Sequence, residues 1–435
     1  GDGTYATAEG RKTLVGVERV LVVGSGHDDR MSGGSDNDSL NGGQGNDMLK
    51  GGAGDDTLTG EAGADSLYGE DGDDTFLDSP LHGGPADRLL DGGAGIDRAQ
   101  IYLPDHTADI VFSIRNPARN ANFGSTVVRN VEQVLLWAGS GDDHLTGGRL
   151  DDDLFSSAGD DTLLGLGGRD DLYSGEGDDI LSGGGGNDRL FGDAGRDRLS
   201  GGSGNDDLEG GDDHDLLIGG AGGDRMDGGY GNDSYFVDSV SDEVVETAVD
   251  GGVDIVFASL SFTLGEGVEH LRLEGSEGLT GLGNAADNDV EGTSGADTLY
   301  GQGGRDRIIG NDGDDRLDGG SGNDQLRGGA GSDQFVFTEI LSAEDNVDAL
   351  ADFNVADDVI LLWGRVFAGI GVGRLGSDAF HYGAEAADAE DRILYQQWTG
   401  RLFYDPDGSG RAEPILFARV EAGLELTAAD FAVQS

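Results

Sequence analysis

Residues 33–77 read GGSDNDSLN GGQGNDMLK GGAGDDTLT GEAGADSLY GEDGDDTFL. Each block has nine residues, with glycine first, aspartate sixth and an apolar residue eighth. One more block in phase, 24–32, makes this an array of six units. Working outward, a second array runs without slippage over 138–236 in eleven units, and a third over 283–336 in six. An irregular pair lies at 83–100. Self-similarity at a fixed short period is the mark of a solenoid, whose units bury their apolar residues only by stacking on their neighbours. Solvated acidic loops have no reason to hold such a phase.

The spacing has a local meaning. Glycines at positions one, two and four predict a tight turn with positive φ and close backbone approach. Positions seven to nine predict a short strand whose middle side chain points inward. One unit then supplies a turn and a strand, and two units complete a coil of eighteen residues. Stacks such as Leu154, Leu172, Leu190 and Leu208 form a thin core. The expected fold is all-β: tandem parallel β-rolls, right-handed β-solenoids, separated by β-rich capping segments.

In this geometry residues eighteen apart stack on one edge, about 4.8 Å from each other. The sixth-position residues are Asp29, Asp38, Asp47, Asp56, Asp65 and Asp74 in the first array. In the second they are Asp143, Asp152, Asp161, Asp170, Asp179, Asp188, Asp197, Asp206, Asp215, Asp224 and Asp233, and in the third Asn288, Asp297, Asp306, Asp315, Asp324 and Asp333. The pair at 83–100 places Asp87 fifth and Arg88 sixth, so only Asp97 reads as a ligand there. Two bare carboxylates at that separation repel by roughly 3–4 kcal/mol at an effective dielectric of 20. A hard dication between them reverses the sign, and calcium takes six to eight oxygens in a forgiving geometry.

Composition agrees. The chain of 435 residues carries a formal charge of −59, with 83 glycines, 6 prolines and no cysteine. Such acidity disfavours nucleic acid and anionic membranes as partners and favours multivalent cations. A leucine core this thin does not outweigh the entropy of so many glycines, so metal binding is expected to be coupled to folding. A secreted chain without disulfides needs another staple, and metal is one of the few available. No apolar run of about 18 residues exists to span a membrane. The first ten residues carry no basic segment leading into an apolar one, so the chain reads as a fragment without a classical signal peptide.

The pattern GGxGxDxUx, over about half of the chain, resembles the repeats-in-toxin (RTX) family of calcium-binding repeats. The resemblance implies a calcium between unit n and unit n+2. The first unit gives carbonyls at positions two and four and its aspartate; the second gives carbonyls at one and three and its aspartate. One such site uses Gly184, Gly186 and Asp188 with Gly201, Ser203 and Asp206. With n−2 sites per array, about 17 calcium ions are expected, which would bring the net charge to about −25. Departures weaken particular units: Leu150 stands fourth, where a left-handed backbone is costly for a bulky side chain, and Asn288 lacks the charge. Asp36 and Asp213 in the fourth place are easier, because Asp tolerates that conformation.

Each array follows an apolar strand: LVGVERVLVVGSG at 14–26, VRNVEQVLLWAGSG at 128–141 and EGVEHLRLEGSEG at 266–278. Glu18 and Glu132 lie eleven residues before the first aspartate of their arrays. These read as entry strands covering an exposed roll end. Residues 101–137 and 236–282 alternate in β fashion and read as sandwich-like caps. The expected division is 1–100, 101–236, 237–336 and a C-terminal cap, 337–435. That cap resembles those of type I-secreted proteins, whose uncleaved C-terminal signal would include the ending Asp430-Phe431-Ala432-Val433. Asp405-Pro-Asp-Gly-Ser-Gly opens like an EF-hand loop but has Leu416 in the twelfth place, which favours a hairpin turn.

No H-E-x-x-H or G-x-S-x-G motif occurs, the seven histidines are dispersed, and no catalytic residue is assigned. The leading expectation is an extracellular module that is disordered at low cytosolic calcium, passes through the type I secretion machinery and folds outside. A second is polysaccharide binding, with Arg169, Arg189, Arg196, Arg198, Arg305 and Arg307 lining a face or simply pairing with surplus aspartates. A third is a structural segment of an adhesin, cell-surface matrix or surface layer.

Overall fold

The computed structural model describes residues 4–7, 20–78, 87–123, 126–246 and 252–435. The entry segment 14–19, with Glu18, and residues 83–86 of the irregular pair lie outside the described residues. The chain divides into two compact units, one of residues 1–231 with 241–243, the other of 232–240 with 244–435. Among the described residues no helix is long and apolar enough to cross a membrane.

In the first unit, successive nonapeptides feed two opposed parallel sheets. Asp153–Phe155, Asp171–Glu176, Arg189–Ala194 and Asp207–Asp212 pair in order in one; Thr162–Gly167, Ile180–Gly185, Arg198–Gly204 and Leu216–Gly222 pair in the other. The register is eighteen residues, with Leu154 opposite Leu172, Leu172 opposite Leu190 and Leu190 opposite Leu208. All four are fully buried, as are Leu145, Leu163, Leu199 and Leu217 from the other sheet. The eighth-position side chains therefore fill the core as the period predicts. Position nine faces outward, where Trp137, Phe155, Tyr173 and Phe191 stack with ring centroids 4.4–4.8 Å apart, the spacing of neighbouring strands.

Residues 101–137 do not form a sandwich-like cap. Arg98–Tyr102 pairs directly with Gln133–Trp137 in parallel, so one sheet runs on through the interruption. Only the opposite sheet breaks: it ends on Thr126–Arg129 with the antiparallel Ala121–Phe123, and Val111–Ser113 begins a new one. The interruption is a long coil whose extra chain bulges from one edge. In the second unit the stretch expected as another sandwich is likewise threaded into a ladder, with Ser234–Val237, Ile255–Ala258, His270–Leu273 and Asp289–Glu291 pairing in parallel.

The C-terminal segment closes the second unit with antiparallel pairs among Ile393–Gln396, Arg401–Tyr404 and Ile415–Arg419. Asp405 begins the connection of a hairpin, as its sequence favours. Phe337, Phe367, Tyr404 and Phe417 meet edge to face beneath it. Phe431–Gln434 lies parallel to Val359–Trp363 with Phe431 fully buried, so the chain ending is an integral strand.

Candidate metal centre

The turns carry the chemistry, and their glycines divide the work differently from the sequence expectation. Left-handed φ occurs at positions two and four, as at Gly184 (105°) and Gly186 (143°), but not at position one. Position one needs glycine for space. A Cβ on Gly192 would lie 2.3 Å from Asp197 Oδ2 and 2.6 Å from the Gly210 carbonyl oxygen, and one on Gly301 2.2 Å from Asp306 Oδ2 and 2.5 Å from the Gly319 oxygen. A carboxylate oxygen and a carbonyl from the next coil thus converge on one cradle that a methyl group would fill. Asp213 takes the left-handed form at position four (78°), whereas Asp36 and Leu150 do not. Non-glycine residues also hold it at position two, among them Glu61, Leu166, Asp193 and Asn311. There it costs them on the order of 1–2 kcal/mol each.

All twenty-four sixth-position residues are buried, none more than 3% exposed. A ladder runs through them, in which a backbone N–H donates to Oδ1 of the aspartate one coil later. Asp38 to Asp56, Asp188 to Asp206 and Asp306 to Asp324 are examples, at 2.7, 2.8 and 2.8 Å. The other oxygen, Oδ2, is buried without a hydrogen bond at Asp47, Asp56, Asp74, Asp97, Asp170, Asp188, Asp197 and Asp206 in the first unit, and at Asp306, Asp315 and Asp333 in the second. A buried acceptor left unpaired costs about 1–3 kcal/mol, more if it is charged. Burial, with the neighbouring aspartates adding to it, pushes these carboxyls up: to about 7 at Asp56 and Asp306, and to about 8 at Asp170. A column of unpaired anionic oxygens beside converging carbonyls fits hard dications along the turn edge.

The irregular coils complete the ladder with residues the nonapeptide count did not assign. Asp87, expected to stand outside it, accepts the Asp65 N–H through Oδ1 at 3.1 Å; the extra chain before it shifts the register so that Asp87 occupies the sixth place. Glu132 accepts from the Asp97 N–H at 3.0 Å, and Glu269 from the Asp254 N–H at 3.0 Å. The recurring Val-Glu of the entry segments was the signal for both glutamates, but the strands after them, Gln133–Trp137 and His270–Leu273, do not cover a roll end as expected: each lies between two parallel neighbours in a continuous ladder. Asp254, Asp348 and Asp358 take the same part for Asp233, Asp324 and Asp333. Asp233, Glu246 and Asp254 bring carboxylate oxygens within 4.8 Å of one another, the one such group among the described residues. Position-five side chains form an outer ladder of opposite sense, in which Oδ1 accepts the N–H one coil later, as in Asn46 to Asp28 and Arg305 to Asp287.

Of the arginines expected to line a face, Arg189 pairs with Asp171 and Arg307 with Asp289 at 2.7 Å. Arg225 joins Asp207 and Asp227 in the same way. Pairing with surplus aspartate accounts for these.

The family described as RTX calcium-binding nonapeptide repeat matches in overlapping stretches: 23–58 and 50–77, a run from 135–154 to 209–244, then 282–315 and 300–335. Together they cover just over half of the chain. Among solved structures, the AlgE6R3 subunit of the Azotobacter vinelandii mannuronan C5-epimerase is similar at 24% identity over 39% of this chain and 86% of that one, with a TM-score of 0.25. No curated protein matches the sequence.

Proposed function

Because this chain belongs to the RTX calcium-binding nonapeptide repeat family and is a calcium-binding repeat module, we propose that its rolls fold only as they load calcium, outside the cell. The observation that carries the reading is the column of buried Oδ2 oxygens without hydrogen bonds. As carboxylates they oppose the fold, each near the next; as calcium ligands they close it. In this reading the sixth-position aspartates from Asp47 to Asp97, Asp143, Asp161 to Asp233 and Asp306 to Asp333 hold the ions, together with turn carbonyls such as those of Gly192 and Gly210. Calcium supplies the positive charge between coils. The protein's own part is to fix one carboxylate oxygen through the N–H ladder, leaving the other aimed at the cradle.

The extracellular setting and type I export follow as parts of the same proposal. A chain held open by its own charge at low calcium remains threadable, and millimolar calcium outside would drive folding by mass action. A calcium titration followed by far-UV circular dichroism, reversed with EGTA and repeated with magnesium, tests it. The expected result is a cooperative coil-to-β transition near millimolar calcium, absent with magnesium, which keeps its waters and near-octahedral geometry. A spectrum already rich in β structure in EGTA would overturn the coupling.

A second reading, polysaccharide binding, is favoured by one groove. Arg115, Arg119 and Arg149 line it with Asn116, Asn120, Ser113 and one carboxylate, Glu132, and among the described residues none of the three guanidinium groups makes an ion pair. Anionic sugar chains suit such donors. Loss of binding to a soluble polyuronate in the triple variant R115Q/R119Q/R149Q, at unchanged calcium response, would support it; no binding by the parent chain would remove it.

A further inference from the structure

Not every turn of the arrays is built alike. At Asp29, Asp38, Asp152 and Asp297, Oδ2 accepts the backbone N–H of the residue four before it: Ser25, Gly34, Gly148 and Thr293, at 2.6–2.7 Å. At Asn288 the side-chain oxygen accepts the Asn284 N–H at 2.6 Å in the same way. In these five turns neither the second nor the fourth residue has positive φ. Asp47, Asp170 and Asp306, one coil after Asp29, Asp152 and Asn288, stand in turns where both residues do, and there Oδ2 carries no such bond. The oxygen that faces the cradle is therefore already engaged in the five.

Hydroxyl groups reinforce this. Ser25 Oγ donates to Asp29 Oδ2 at 2.9 Å, and Thr293 Oγ1 reaches both oxygens of Asp297 at 3.1 and 3.2 Å. Asn288 is the most telling. Its Nδ2 donates to the carbonyl oxygens of Val268 and Glu269 at 3.2 and 3.3 Å, so the amide gathers two carbonyls of the preceding coil by hydrogen bonding. A neutral side chain is tolerated in the column because this turn gathers its oxygens without a positive ion. The residue type that departs from the repeat and the turn geometry that departs from the repeat coincide.

We infer that these five turns are closed by hydrogen bonds in place of calcium, so that each array begins, at or next to its first turn, with a stretch that holds its shape without metal. This inference rests on the calcium reading above and sharpens it. Each expected site needs the free oxygen of its earlier unit, so removing these five from the expected total leaves about 12 sites in the three arrays. Ser25, Asn284 and Thr293 at position two mark three of the five; the turns of Asp38 and Asp152 have glycine there and carry Asp36 and Leu150 at position four, neither with positive φ. Leu150 at position four then has a plain role, since a residue that resists positive φ keeps the Asp152 turn closed.

The test counts bound calcium per chain by native mass spectrometry on the full protein in saturating calcium, with circular dichroism to verify folding. Asp29→Asn should leave the count unchanged, because Asp29 Oδ1 has no hydrogen bond to lose and Oδ2 keeps its donors. Asn288→Asp should add no ion and lower the melting temperature, because two carbonyl bonds disappear. Asp47→Asn should lose at least one ion. A count that falls by one in Asp29→Asn, or rises by one in Asn288→Asp, overturns the inference while leaving the calcium reading standing. A parent chain that binds no calcium overturns both.

Discussion

Gly165 offers a sharp test of the cradle. A methyl group there would sit 2.1 Å from Asp170 Oδ2, 2.7 Å from its Cγ and 2.8 Å from the Gly183 carbonyl oxygen. Gly165 does not have positive φ, so alanine is conformationally acceptable and the whole effect comes from space. Two residues on in the same turn, a Cβ on Gly167 would meet nothing closer than 3.7 Å, again without positive φ. Gly167→Ala should therefore stabilise by about 0.4–1 kcal/mol through the unfolded chain. Gly165→Ala carries the same entropic gain but must displace a carboxylate and a strand-end carbonyl. Such overpacking costs about 1–3 kcal/mol. Because the displaced oxygen is a proposed ligand, further loss appears as weaker calcium binding. Thermal melts in saturating calcium should separate the two variants by about 2–12 °C, the overpacking cost at roughly 2–4 °C per kcal/mol for a unit of this size. A calcium titration should show a raised midpoint for Gly165→Ala alone. If it melts together with Gly167→Ala, the cradle at position one is not where the structure's close contacts place it.

Three further outcomes are expected. In calcium-free buffer, burial holds Asp56, Asp197 and Asp306 near about 7 and Asp170 near about 8 in the folded chain, above the ordinary carboxyl value of about 3.9. Groups raised in this way contribute stability below the unfolded value and lose it as pH rises through the folded one. Acidification toward pH 4 in EGTA should thus gain β structure that disappears between about pH 6 and 8; circular dichroism showing the reverse order would contradict the burial argument. Leu172→Ala removes a fully buried side chain between Leu154 and Leu190 and should cost about 2–5 kcal/mol, read as a lower melting temperature in saturating calcium. Leu166→Gly relieves a left-handed leucine (φ 78°) at a surface position and should raise that temperature slightly, by up to about 1 kcal/mol of stability; a drop would mean that its side chain packs more than its exposure suggests.

The period carried most of the fold. An apolar residue every nine positions specifies two sheets, an inward Leu stack and an edge of aspartates, and each of these is present. What did not follow from the count were the interruptions. Residues 101–137 alternate like any amphipathic strand, and alternation alone does not distinguish a strand in a separate sandwich from one that continues a ladder. Asp87 was misplaced because counting in nines fails once extra chain enters a coil, while pairing restores the register. The role of position one was legible only in part: glycine was required, but whether for φ or for space depends on which peptide faces the carboxylate. The difference between open and closed turns lay partly in the identity of position two, as at Ser25, Asn284 and Thr293, and partly in a non-glycine fourth residue, as at Asp36 and Leu150, where position two is glycine. The meaning of either appears only when the N–H at position two is seen to reach the oxygen or to turn away.

The alternation of nonapeptides between two sheets sets a rule for length. In the first unit Phe155, Tyr173 and Phe191 share one face because each lies eighteen residues from the next. Excising eighteen residues from such a run removes one whole coil and leaves every later strand on its own sheet, facing its usual neighbours. Excising nine transfers every later strand to the opposite sheet. Arg189 would lose Asp171 as its partner, the aromatic column would be cut, and the irregular coils beyond would meet the wrong edge. Insertions obey the same parity. Such a roll can therefore grow or shrink by full coils with little adjustment, while a change of half a coil must be absorbed elsewhere by a bulge of the kind seen around residues 103–132.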